Sequence, residues 1–452
     1  MAEARIEHDL LGPIEVPAEA LYGAQTQRAV LNFPLRSEKP IGDYPLLIAG
    51  LMAVKKAAAA ANRRGGFLAD EVADAIARAA EEVLQEPLFD HFPVHRFHGG
   101  GGTSANMNAN EVLANLAEEA LGGRRGEYRR VDPNDHVNRH QSTNDVYPTA
   151  CHLALVAGWH KARPACERLA AALAARAREW RELPRLARTC LRDAVEGTYG
   201  ELFGGYAGFL ERATARIDTA VEALYAVNLG GTIVGRPDAV PRSYFDAVIA
   251  ELRRATGDDA WRRAANLADA FQNCDDMVNV SAQLATAARG LIKIAKDLRM
   301  LSSGPQGGLG EIRLPAVQPG SSVMPGKVNP VIPEFAIQLC LEMSGLHAAC
   351  AQSLDHGELD LNVWESLIVF NTLDAMEHLA NAATVLDERC LRELTVDEAR
   401  SRAHAGSLMP VLARLAGEYG YARLSELCRR AGGDLTELER LLVDAGWMSG
   451  RG

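Results

Sequence analysis

The 452-residue sequence contains no apolar run of the roughly eighteen residues that a membrane-spanning helix needs. Its opening, MAEARIEHDLLG, lacks the apolar core of a secretory leader. The eight cysteines are scattered and none forms a CxxC pair, so neither a disulfide scaffold nor a thiolate metal cluster is indicated. In a chain this long they read as reduced, mostly buried thiols of a cytoplasmic protein. Basic charge is in deficit: 48 Lys and Arg against 59 Asp and Glu give a formal charge of −11. That balance argues against nonspecific nucleic-acid binding and leaves any anion site to be built from local donors. Aromatic residues are only 6% of the chain, and strand signals are few.

What is present is helix. Alanine, leucine, arginine and glutamate dominate, and apolar residues recur at helical spacing over 46–62, 70–85 and 106–120. Longer periodic segments follow at 148–180, where Pro164 should kink or break the helix, then at 206–226, 242–256, 264–302, 331–352 and 358–386. A tail of shorter helices begins after residue 390, with Thr395 as a candidate cap, and reads as a small separate domain. Long striped helices with few strands predict an all-α helical bundle.

The densest chemistry lies in residues 320–334, GSSVMPGKVNPVIPE. Three prolines and two glycines exclude a regular helix across the whole stretch, so it is presented as a loop. Ser321, Ser322, Lys327 and Asn329 offer two hydroxyls, an ammonium and an amide within nine residues, which suits a small anionic substrate.

Three further segments carry candidates. In GGGGTSANMNANE (99–111) four glycines allow close backbone approach, and Thr103 and Ser104 open a helix whose amides and dipole favour a carboxylate or phosphate. A capped tight turn explains the same residues, and no phosphate-loop lysine follows. In DPNDHVNRHQSTNDVYPT (132–149), Ser142, Thr143 and Asn144 can cup a carboxylate or amine, or cap a helix. His136 and His140 stand four apart beside Asp135, but no third ligand or HExxH pattern accompanies them, and no metal site is expected. LARTCLRDAVEGTYGE (186–201) contributes Thr189 and Cys190, the latter a nucleophile if activated and otherwise a small pocket-lining or buried thiol.

These motifs resemble the aspartase/fumarase superfamily, whose signature runs GSSxMPxKxN, and the likeness extends over nearly the whole chain from IEHDLLGPIEVPAEALYGAQTQRAVLNFP onward. The resemblance implies three mainly helical domains, 1–147, 148–392 and 393–452, the second a long five-helix bundle. It also implies a homotetramer with active sites shared between subunits, and chemistry without a cofactor. Ser321 is then the catalytic base. Thr103, Ser142, Thr143, Asn144, Thr189, Ser322, Lys327 and Asn329 are substrate contacts. His136 becomes a supporting residue behind them.

Three positions depart from the family pattern: His98 where glutamine is usual, His140 where a small polar residue is usual, and Cys190 where fumarases carry a histidine paired with the residue at Glu334. They are candidate specificity positions or neutral changes. GTS at 102–104, NDHVN at 134–138, VIPE at 331–334 and Glu365 lean toward an ammonia-lyase acting on L-aspartate; AQTQRAV at 24–30 and MPGK at 324–327 lean toward fumarate hydratase. A lyase releasing a substituted amine, and a non-catalytic crystallin-like relative, are the other readings, the second disfavoured by the intact Ser321, Lys327 and Asn329.

Overall fold

The computed structural model describes residues 3–35 and 38–449. It is all-helical in character, as expected. Helices form at Pro45–Arg64, Asp70–Gln85, Thr103–Ala120 and Arg242–Thr256, close to the periodic segments of the sequence. Longer ones run over Thr143–Glu179, Tyr199–Ala223, Asp275–Leu301, Val331–Ser353 and Glu365–Leu386. Among the described residues strands occur only as small pairs, chiefly the hairpins Ala4–Asp9 with Gly12–Pro17 and Pro184–Thr189 with Arg192–Thr198.

Four local expectations need correction. Pro164 does not break its helix, which continues through both Pro148 and Pro164. At Pro148 the reason is visible. The missing N–H would have bonded the Asn144 carbonyl four residues earlier, and the buried Asn228 side chain donates to that carbonyl instead at 3.0 Å. The 264–302 stretch divides into Leu267–Gln272 and Asp275–Leu301. Asn273 is extended there, and Asp275-Asp276 restart the helix where acidic groups favour its dipole. The helix expected from 358 starts at Glu365, because Leu359 takes a left-handed φ of 53° within a tight bridge between Glu358 and Leu361. Finally, Thr395 sits in a short strand pair with Arg313, and Asp397 caps the following Glu398–Ala405 helix by accepting from Arg400 N.

The chain forms two compact units, each assembled from three separate stretches. The first comprises Met1–Pro164, Ala213–Ala288 and Cys340–Ala380. Inside it the Pro45–Arg64 helix packs on Asp70–Gln85 and Arg242–Thr256. Val72, Ala75, Ile76, Ala79 and Val83 supply the buried stripe of Asp70–Gln85 at spacings of three and four residues. At Gly50 a side chain would meet the Ala150 carbonyl at 2.6 Å, so a glycine is required for the Pro45–Arg64 and Thr143–Glu179 helices to approach.

The second unit comprises Ala165–Arg212, Arg289–Leu339 and Asn381–Gly452. It contains the Pro184–Thr198 hairpin, the signature loop and the terminal helices Glu398–Ala405, Leu408–Tyr419, Tyr421–Ala431 and Leu435–Asp444. The last three close on their own apolar cluster, including Leu412, Leu415, Leu424, Leu427 and Leu442. The Glu398–Ala405 helix lies against the Pro184–Thr189 strand.

Candidate active site

In the first unit the glycine run makes a left-handed turn, with φ of 85°, 56° and 85° at Gly100, Gly101 and Gly102. A Cβ on Gly102 would fall 2.3 Å from the Tyr147 ring, so this position excludes any side chain. Thr103 opens the helix, exposed, with its Oγ1 donating to Gly100 O at 2.8 Å. Behind the turn Tyr147 is fully buried and shares a 2.9 Å hydrogen bond with Ser366. His98 is buried edge-on to Tyr147, its Nδ1 3.0 Å from His95 O. A carbonyl can only accept, so Nδ1 carries the proton and Nε2, which has no hydrogen-bond partner among the described residues, presents a lone pair. Burial lowers the His98 pKa and keeps the ring neutral.

Ser142 is the N-cap of the Thr143–Glu179 helix, and Asp145 completes a capping box. Ser142 Oγ accepts from Asn144 N at 3.2 Å, while Asp145 Oδ1 accepts from Ser142 N at 2.9 Å. Capping uses only an oxygen lone pair, so the hydroxyl proton of Ser142 stays free to donate to a ligand. Thr143 Oγ1 accepts from Asn106 Nδ2 at 3.0 Å. Asn106 lies in the first turn of the helix that Thr103 opens, so Thr103 and the Ser142–Asn144 segment are tied into one surface. Asn144 Nδ2 donates to Ile233 O at 2.9 Å.

Beneath this surface lies a polar layer that the sequence reading missed. Lys55 is fully buried and donates to Asn138 Oδ1 and Gln141 Oε1, both at 3.0 Å. Seven residues, or two turns, further along the same helix, Asn62 donates to Arg139 O, and its Oδ1 lies 2.6 Å from His140 Nδ1. The helix thus grips residues 138–141 at two points just before Ser142. Asp145 is also fully buried and accepts from Gly230 N and Thr232 N at 2.9 and 3.1 Å. Burial drives Lys55 down and Asp145 up toward neutrality, and their mutual attraction opposes both shifts. The only sequence signal was a lysine within an otherwise alanine- and leucine-rich helix face.

His140 holds a left-handed φ of 59° and packs edge-on against Phe67. His136 lies in the Pro133–Val137 turn and accepts from Asp132 N at 2.9 Å. The two histidines therefore do not share a regular helix face.

In the second unit the signature loop runs exposed into the Val331–Ser353 helix. Its neck is pinned by Gly320 N donating to Lys327 O at 2.8 Å and Asn329 Nδ2 donating to Gly320 O at 2.7 Å. Within the neck, Ser321 Oγ accepts from Val323 N at 3.1 Å and Met324 N at 2.9 Å. Ser322 and Lys327 are exposed on the same loop.

Thr189 and Cys190 lie at the tip of the Pro184–Thr198 hairpin, both exposed. Cys190 is therefore not a buried thiol. Cys190 and Leu191 form a two-residue turn with φ of 50° and 59°, the primed geometry of tight hairpins, here made without glycine. Glu334, without a histidine partner, pairs with Arg299 at 3.1 Å.

The first unit thus presents Thr103 and Ser142 at two helix starts, and the second presents Ser321, its oxygen facing two amides, with Lys327 exposed on the same loop. A family model described as Lyase matches residues 12–345. The aspartate ammonia-lyase of Pseudomonas canavaninivorans is 42% identical over 451 residues, covering 98% of this chain and 95% of that protein. The class II fumarate hydratase of Thermosynechococcus vestitus is 38% identical over 449 residues, covering 99% and 95%. A solved structure described as a fumarate lyase:delta crystallin from Brucella melitensis superposes with a TM-score of 0.93 at 42% identity, covering 98% of this chain and 96% of that one. The chain belongs to the aspartase/fumarase superfamily and is a lyase.

Proposed function

We propose that the protein catalyses the reversible elimination of ammonia from L-aspartate to give fumarate, with Ser321 as the base. The observation that carries this reading is the pair of backbone amides aimed at Ser321 Oγ. Hydrogen bonds to a charged acceptor contribute roughly 1.5–3 kcal/mol each. Two of them correspond to about 2–4 pK units in favour of the oxyanion. That is too little to ionise a serine at neutral pH unaided, so closure of the loop over substrate, which removes water and brings Lys327 near, supplies the remainder.

The β-proton of aspartate is barely acidic, and the intermediate is an aci-carboxylate dianion. Ser142, Thr143 and Ser322 donate to it in the manner of an oxyanion hole, and Thr103 joins them by exchanging its bond to Gly100 O for one to substrate. Lys327 and Asn329 hold the α-carboxylate, and Asn144 with Thr189 faces the amino group. No organic cofactor takes part. The protein works as a cytoplasmic homotetramer whose active sites draw residues from several subunits, and the divisions 1–147, 148–392 and 393–452 belong to the same proposal.

A second reading, fumarate hydratase, is kept because relatives of both names match at similar identity. Ultraviolet detection of fumarate from L-aspartate and from L-malate decides between them. Fumarate from aspartate alone supports the ammonia-lyase. Fumarate from malate alone overturns it and makes the protein a hydratase without the histidine at position 190. Silence with both points to a substituted amine, with His98, His140 and Cys190 the first positions to vary. Ser321→Ala should abolish turnover with the fold intact, and substantial remaining activity would exclude Ser321 as the base.

A further inference from the structure

Glu311 lies ten residues before Ser321 in the chain and is completely buried. Its carboxylate gathers three elements of the second unit. Arg188 Nη2 donates to Oε1 at 2.5 Å, from the strand residue directly before Thr189. His404 Nδ1 lies 2.7 Å from the same oxygen, on the Glu398–Ala405 helix. Tyr199 OH reaches Oε2 at 3.4 Å and also shares a 2.9 Å bond with Ser401. The Glu311 backbone is held as firmly, with N donating to Leu301 O at 2.8 Å and O accepting from Asp397 N at 2.9 Å. Two residues on, Arg313 pairs with Asp397 at 2.9 Å.

A buried ionic cluster of this kind is no more stabilising than well-packed apolar side chains of the same volume. It does fix angles and distances in a way that apolar contact does not, because each bond is directional. Here the bonds converge from the hairpin carrying Thr189 and Cys190, the strand leading into the signature loop, and the first helix of the C-terminal tail.

We propose that Glu311 is a positioning residue for the elimination, setting the hairpin that bears Thr189 and the base of the signature loop in fixed register through Arg188 and His404. This rests on the roles given above to Ser321 and Thr189. Glu311 itself touches no substrate. It transmits the position of the tail helix to the loop, so that the Ser321 oxygen and the Thr189 hydroxyl are each held in fixed geometry for the site they serve.

The test compares wild type with Glu311→Gln and with the double variant Arg188→Gln/Glu311→Gln in the full-length protein. Steady-state kinetics are run on L-aspartate and L-malate, and the rate of tryptic cutting after Lys327 is followed by mass spectrometry. In Glu311→Gln, kcat should fall about 10- to 100-fold, the scale of a misplacement of about 1 Å. Tryptic cutting should quicken at least about threefold as the loop loses its anchor.

The double variant relieves the uncompensated buried charge, so its melting temperature should recover while kcat does not. A merely structural Glu311 would instead give recovery of both. That result, or a Glu311→Gln enzyme within about twofold of wild type in kcat and cutting rate, overturns the proposal. Should Glu311→Gln fail to fold, His404→Ala removes one arm from the half-buried edge, and an unchanged cutting rate there overturns it as well. A wild type silent on both substrates refutes the proposed function, whereas the cutting rates still decide the role of Glu311.

Discussion

Replacing Glu365 by glutamine should make the protein more resistant to unfolding above neutral pH and have little effect in mild acid. Glu365 opens the Glu365–Leu386 helix, is 3% exposed, and its Oε2 has no hydrogen-bond partner among the described residues. The helix dipole at this position favours the ionised form, but burial wins and pushes the carboxyl up to about 8 from a usual 4.5. A group whose pKa is raised on folding stabilises the folded state below its unfolded pKa. That contribution is lost as pH rises through the folded value, because over this window the folded state binds more protons than the unfolded one. Between pH 5.5 and pH 8 the loss integrates to about 3 kcal/mol at 1.36 kcal/mol per unit. Glutamine has the same shape and does not titrate, so the stability difference between Glu365→Gln and wild type should grow by about 3 kcal/mol over that interval. Urea unfolding at the two pH values and one fixed protein concentration measures it. A difference constant to within about 0.5 kcal/mol would mean that Glu365 is ionised in the folded protein and that the burial argument is wrong.

Two further outcomes follow from local geometry. Replacing Cys190-Leu191 by Asn-Gly should stabilise the protein by about 1 kcal/mol, since both residues now hold positive φ without being glycine, and a lower urea midpoint would contradict the primed-turn reading. Asn228→Ala should cost about 1–3 kcal/mol by orphaning the Asn144 carbonyl that Pro148 leaves free, and an unchanged midpoint would show that another donor takes its place.

The helices were legible because their apolar stripes repeat at a period that packing preserves: Asp70–Gln85 and Arg242–Thr256 fall where the pattern puts them. The signature loop was legible because prolines and glycines exclude alternatives over most of its length. The Pro184–Thr198 hairpin was not, because its turn residues are cysteine and leucine, which carry no turn signal. Continuity through Pro164 was hidden for a related reason, since a proline's neighbours decide whether its lost hydrogen bond matters. The polar layer of Lys55, Asn62 and Asp145 was invisible because one sequence does not say which polar residues fold inward. Local reading found the hydroxyls and amides of the site. It could not find the groups that aim them, which come from distant parts of the chain, as Lys55 does for Asn138 and Gln141, 83 and 86 residues away.

The interleaving of the two units bears on how the chain is made. The first unit takes its last stretch from Cys340–Ala380, so at synthesis rates of roughly 5–20 residues per second its opening 164 residues wait on the order of ten to forty seconds for their final partners. During that time the first unit holds the partners of Pro45–Arg64 and Asp70–Gln85 that are already made, Arg242–Thr256 among them, but not the Cys340–Ala380 stretch. The second unit takes its last stretch from Asn381–Gly452 and closes later still. A ribosome stalled between residues 213 and 340 therefore releases two incomplete cores rather than one finished domain and one missing one.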